Sequence, residues 1–188
     1  KDLLPEDSIS PETRLVLTNA IYFNAAWMHP FNEQATQDAA FHLLDGSKVT
    51  VPMMSQTESF GYAEGKGYQA IELPYDGGEM SMLILLPATG EFERFARTID
   101  AASWDSILET MEWDTLHLSM PKFTYDMALS LKDVLVKLGM PNAFGDAADF
   151  SGMDGTRDLF VSSVFHKAFV AVDEAGTEAA AATAVVVA

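Results

Sequence analysis

Val172-Asp-Glu-Ala-Gly-Thr-Glu-Ala-Ala-Ala-Ala-Thr-Ala-Val-Val-Val-Ala188 makes up the last seventeen residues of the sequence. It is proline-free, with one glycine near its start and almost only small or β-branched residues after it. Its preferences conflict: Ala179 to Ala182 favour helix, whereas Thr183 and Val185 to Val187 favour strand. Such a segment can change backbone state at low steric cost, which outlines a conformational switch. In a strand, successive side chains alternate between faces. If Glu178 faces solvent, then Thr177, Ala179, Ala181, Thr183, Val185 and Val187 face the other way, and each is small enough for a packed interior. Gly176 gives backbone freedom at a pivot, and the lack of proline leaves every amide free to pair. An ordinary edge strand carries a charge or a proline against aggregation; here Glu178 is the only charge beyond Gly176. A flexible alanine-rich tail is the plainer reading, but tails seldom carry a valine triplet.

Upstream, the composition is that of a globular chain. The 188 residues are 48% hydrophobic and 11% aromatic, enough for one domain with a sizeable core. Eleven basic residues against twenty-eight acidic ones give a net charge of −17. That balance argues against nucleic acid or an anionic membrane as partner, since both require a basic surface. Without cysteine, disulfide and thiolate chemistry are excluded. No apolar run is long enough to span a bilayer, and Lys1-Asp-Leu-Leu-Pro-Glu-Asp7 does not resemble a secretion signal.

The polar stretch from Asp7 to Thr13 leads into an apolar run, Leu15 to Phe23, long enough for a strand buried on both faces. Residues 41–44 and 49–51 around Asp45-Gly46 predict a hairpin. Further strands are expected at 59–63, 68–73 and 80–86, the last two joined by Asp76-Gly-Gly78 in an antiparallel meander. Apolar residues at three- and four-residue spacing from Glu91 to Met111 predict two short helices broken near Asp100. A further helix is expected after a Ser130 cap, with Leu131, Val134, Leu135 and Leu138 as its apolar stripe and Gly139 and Pro141 as its stop. Strands at 115–124 and 159–172 flank it. Strands, then helices, then strands indicate an α+β domain with mainly antiparallel sheets.

Catalytic signatures are absent. His29, His42, His117 and His166 are scattered without metal-ligand spacing, and no nucleophile elbow or phosphate loop is present. No enzyme, metal site or cofactor is indicated. Asn19 and His166 are polar residues inside apolar strands, where an unpaired group costs about 1–3 kcal/mol. Taken alone, they are two locally satisfied core residues. Likewise Trp27 is a core aromatic, and Lys122 with Glu174 a surface ion pair worth at most about 1 kcal/mol.

The residues from Asp173 to Ala184 resemble the proximal hinge of the reactive-centre loop in inhibitory serpins. Eight upstream blocks are similar to serpin motifs in the same order: Leu15-Val-Leu-Thr-Asn-Ala-Ile-Tyr-Phe23, Ala26-Trp27, Phe31, Val51-Pro-Met-Met54, Glu72-Leu-Pro-Tyr75, Ser81-Met-Leu-Ile-Leu-Leu-Pro87, Met120-Pro-Lys-Phe123 and Phe165-His-Lys-Ala168. The resemblance implies a single, partial serpin-like α+β domain over residues 1–188, with one large sheet and two smaller ones. The helical N-terminal half would lie before Lys1, a short tail with the extreme C-terminal strands after Ala188, and the hinge and proximal loop in residues 174–188. It further implies a hinge and inserting loop at Gly176, Thr177, Glu178, Ala179, Ala180, Ala181, Ala182, Thr183 and Ala184. Trp27, Lys122 and Glu174 would form the breach at the top of the main sheet, with a Lys122–Glu174 bridge. Asn19 and His166 would belong to the shutter beneath its centre. Ala175 is often charged in the family, but it precedes the pivot and is not expected to stop insertion.

The implied function is that of a monomeric, extracellular or secreted suicide inhibitor whose partner is a serine protease or a cysteine protease. The residue that selects the protease would fall about two positions beyond Ala188, by the family's own count. Two other readings stay open from the sequence: a non-inhibitory serpin acting as carrier or chaperone, and an unrelated acidic α+β binding module with the tail as linker.

Overall fold

Apolar and β-branched runs punctuated by Asp-Gly turns give strands, and apolar residues at helical spacing give short helices. The computed structural model describes Leu4, residues 8–11, Thr13 and residues 15–187; the side-chain surroundings of Leu15, residues 17–21 and residues 180–187 lie outside that description. In chain order the elements are β1 (Leu15–Ala26), β2 (Gln37–His42), β3 (Lys48–Gly65), β4 (Tyr68–Pro74), β5 (Ser81–Pro87), α1 (Phe92–Thr98), α2 (Ala101–Glu109), β6 (Glu112–Pro121), β7 (Phe123–Ser130), α3 (Lys132–Lys137), α4 (Ser151–Asp154), β8 (Val161–Val172) and β9 (Gly176–Val187). A 3₁₀ turn, Glu33–Ala35, precedes β2, and another, Pro141–Phe144, follows α3. No helix among the described residues is long and apolar enough to cross a membrane.

The chain gathers into two units. The first comprises residues 1–24, 124–171 and 178–188, the second residues 25–123 and 172–177. In the first unit a four-stranded sheet runs in the order β1-β9-β8-β7, so β9 is an inner strand with neighbours on both edges. Leu159, Val161 and Val164 are buried there under Leu131, Leu135, Ala143, Phe144 and Phe150.

In the second unit β2, β3, β4 and β5 form an antiparallel sheet, with β6 also on β3. Ala63, Ala70 and Ile107 form its core with Tyr68, Leu83, Leu85, Ile99 and Met111. Asp100 separates the two helices and caps α2, its carboxylate accepting from the Ser103 amide at 2.8 Å.

Several expectations are corrected. The strand expected at 59–63 is the far end of β3, whose eighteen residues pair with β2, β6 and β4 in turn. Among the described residues, the strands outside the four-stranded sheet are thus joined through β3 into one five-stranded sheet. The strand expected at 115–124 is two: β6 ends at Pro121, β7 begins at Phe123, and they join different sheets. Ser130 does not cap α3; it ends β7, and Leu131 takes the cap position without a side-chain bond. Leu131 and Leu135 pack inward, but Val134 and Leu138 are exposed. A helix of six residues turns less than twice, so its buried stripe is narrow. Gly139 ends it as expected, with a left-handed φ of 104°.

Candidate functional site

Three residues, Asp173 to Ala175, link β8 to β9. A connection this short can join only antiparallel neighbours. The Asp173 amide donates to the Gly176 carbonyl at 3.0 Å. The Asp173 carboxylate accepts from the amides of Ala175 and Gly176 at 2.9 and 3.1 Å. This is an Asx-type turn, in which a short acidic side chain satisfies the amides that the reversal leaves unpaired.

The three carbonyls of the turn are bound by one nearby segment of the second unit. The Trp27 indole N–H donates to the Asp173 carbonyl at 2.9 Å. The Phe31 amide donates to Glu174 and the Trp27 amide to Ala175, each at 2.9 Å. Trp27 is itself fixed, stacked on Tyr75 with ring centroids 4.7 Å apart and planes 9° from parallel.

Glu174 is buried, with 6% of its surface exposed, yet its carboxylate is satisfied on both oxygens. Oε1 accepts from the Thr36 hydroxyl at 2.8 Å, and Oε2 from the Lys122 ammonium at 2.6 Å. The Lys122 hydrogen bond holds the Glu174 carboxyl below the usual carboxylate range against the opposing effect of burial, and Thr36 assists. The same hydrogen bond raises Lys122, with the negative charges of Glu174, Asp173 and Glu33 adding to it. The Lys122 side chain is 44% exposed, which leaves its charge partly hydrated while Glu174 loses its water. The expected surface pair is thus asymmetric.

After the turn, Gly176 and Thr177 are buried, Glu178 is exposed and Ala179 half-buried. That is the expected two-residue alternation from Thr177 to Ala179. Gly176 also meets a steric demand in this structure. Its φ is not left-handed. A Cβ there would lie 2.2 Å from the Ala25 carbonyl oxygen and 2.9 Å from the Ala26 Cα, both backbone atoms that cannot yield. Close approach thus requires a glycine at this position.

The serpin family model (serine protease inhibitor) matches residues 1–188. The chain belongs to the serpin family. It is 44% identical over 98% of its length to an uncharacterized serpin-like protein of Thermococcus kodakarensis, of which it covers 42%. It is 42% identical over 97% of its length to the leukocyte elastase inhibitor of Sus scrofa, of which it covers 51%. A structure described as cleaved Serpin 42Da is similar over the whole chain, with a TM-score of 0.90 and 41% identity, and 52% of that protein is covered. The chain thus spans about half the length of the curated relatives it matches.

In this serpin the structure brings Trp27, Lys122 and Glu174 together around one turn. His166 is a half-buried residue of β8. Asn19 lies in β1, and its side chain is outside the described residues, so the expected shutter pair lies partly outside that description. For Ala180, Ala181, Ala182, Thr183 and Ala184 only their place in β9 is described. Sequence reasoning missed Thr36 and Tyr75. Tyr75 was legible only as the last residue of the Glu72-Leu-Pro-Tyr75 block, with no site role attached to it, and Thr36 left no signal.

Proposed function

We propose that the full-length protein carrying this chain inhibits a serine protease as a suicide substrate. The loop beyond Ala188 is attacked and an acyl-enzyme forms. The freed segment from Gly176 onward then enters the sheet as a new strand, carrying the protease with it before deacylation.

One observation carries this reading: β9 runs between β1 and β8 rather than at an edge. On this reading that arrangement is the end state of the reaction. About ten newly paired residues at roughly 0.5–1.5 kcal/mol per hydrogen bond release on the order of 10 kcal/mol. The form with the loop exposed is then a kinetic trap rather than the free-energy minimum. Similarity to an elastase inhibitor and to a cleaved serpin supports the same conclusion.

Thr177→Arg tests it in the full-length protein. Thr177 is 5% exposed, so an arginine there must bury a charge as the strand enters. The variant should be cleaved by the target protease without trapping it, turning an inhibitor into a substrate. A variant that still formed a denaturant-stable complex would refute the proposal.

A further inference from the structure

We infer that Tyr75 is a positioning residue for strand insertion, on the reading proposed above: its hydroxyl is the prearranged partner of Thr177, the first side chain of β9 to enter the interior. The Tyr75 O–H donates to Thr177 Oγ1 at 3.0 Å, in a contact where both residues are buried. They stand 102 positions apart in the chain, so no local turn enforces the meeting.

What makes the tyrosine a receiver rather than a passive neighbour is how it is held. Its backbone bridges Trp27, its amide donates to the Met80 carbonyl at 3.0 Å and its carbonyl accepts from the Gly78 amide at 3.1 Å. Its ring lies flat on the Trp27 indole. None of these fixed points belongs to β9, so the phenol can be aimed before the strand arrives. Burial raises the Tyr75 phenol above its usual range against the opposing hydrogen bond with Thr177, and a phenol is in any case protonated at neutral pH.

Thr177 gives the reciprocal argument. Ala179, the next residue on the same face, carries no polar side-chain atom to dehydrate. Thr177 does, and its hydroxyl must exchange water for a protein partner at the opening step of insertion. Tyr75 supplies that partner where the strand first commits. On the inhibitory reading, loss of the partner slows entry relative to deacylation and lets the protease escape.

The test uses the full-length protein with Tyr75→Phe, Thr177→Val and the double variant. Phenylalanine keeps the ring on Trp27, and valine keeps the β-branched shape. Each single change should raise the ratio of cleaved inhibitor to trapped complex roughly tenfold, the factor expected when one buried hydroxyl loses its partner. The double variant should be no worse than either single one, because both remove the same bond. The rate of loop cleavage and the tryptophan fluorescence of the uncleaved protein should stay at their original values, which a general loss of structure would not allow. Melting of the cleaved form should show the same non-additivity. Additive effects of the two changes, or a Tyr75→Phe protein that partitions like the original, would overturn the assignment. An original protein that traps no protease overturns the inhibitory reading alone, and the melting cycle on the cleaved form then decides Tyr75 by itself.

Discussion

Glu174 is the residue on which the turn's electrostatics converge, and its behaviour with pH follows from the sign of its shift. Its folded pKa lies below the usual 4.5, so its contribution is complete above the ordinary carboxylate range and is lost as pH falls through the depressed value. Lys122 is raised above the usual 10.5, so its contribution is complete below that value and is lost as pH rises through the higher one. The pair therefore holds the turn across the neutral range and releases it on the acid side first. Glu174→Gln should cost about 1–2 kcal/mol at neutral pH, a modest figure because Lys122 keeps much of its hydration. It should also flatten the acid limb of melting temperature against pH; an acid limb as steep as the original's would place the titration elsewhere. The Lys122–Glu174 pairing was legible because both positions stand in recognisable motifs. Thr36 was not, since a hydroxyl reaching across 138 positions leaves no local pattern.

Elements were read well where period and punctuation agreed, and poorly where tertiary contacts chose the boundary. The break between α1 and α2 at Asp100 was visible because an acidic cap interrupts the apolar spacing. The split at Lys122 was not, because β6 and β7 are continuous in strand preference and only their sheet membership separates them. Nor was the exposure of Leu138, since a helix this short has too few turns for spacing to define a face. The load on α2 falls on one side chain. Ile107 is 2% exposed between Ala63 and Ala70, small residues that cannot close a gap left beneath the helix. Ile107→Ala should lower stability by about 2–5 kcal/mol. Denaturant unfolding measures this directly, and a loss below about 1 kcal/mol would mean that α2 does not rest on that contact.

For the molecule as a whole, the question is what it gains when β9 has partners on both sides. Cleavage of the loop in the full-length protein should raise the melting temperature by something on the order of 20 °C, given the size of the pairing energy. A carrier-type member of the family should show no such gain, and an unchanged melting temperature would remove insertion as the driving force. The α+β class and antiparallel ladders were legible from alternation and turn residues. The place of β9 in its sheet rested on resemblance, because strand order is set by contacts that no local pattern encodes. The turn's fastenings also have an order in time. Trp27, Thr36, Tyr75 and Lys122 all precede the residues they bind, the nearest of them by 52 positions. At ribosomal speeds of about 5–20 residues per second, Lys122 emerges some 3–10 s before Glu174 follows it. The partners of the turn are thus on hand before the turn itself, and its closure is the last step in assembling this corner of the molecule.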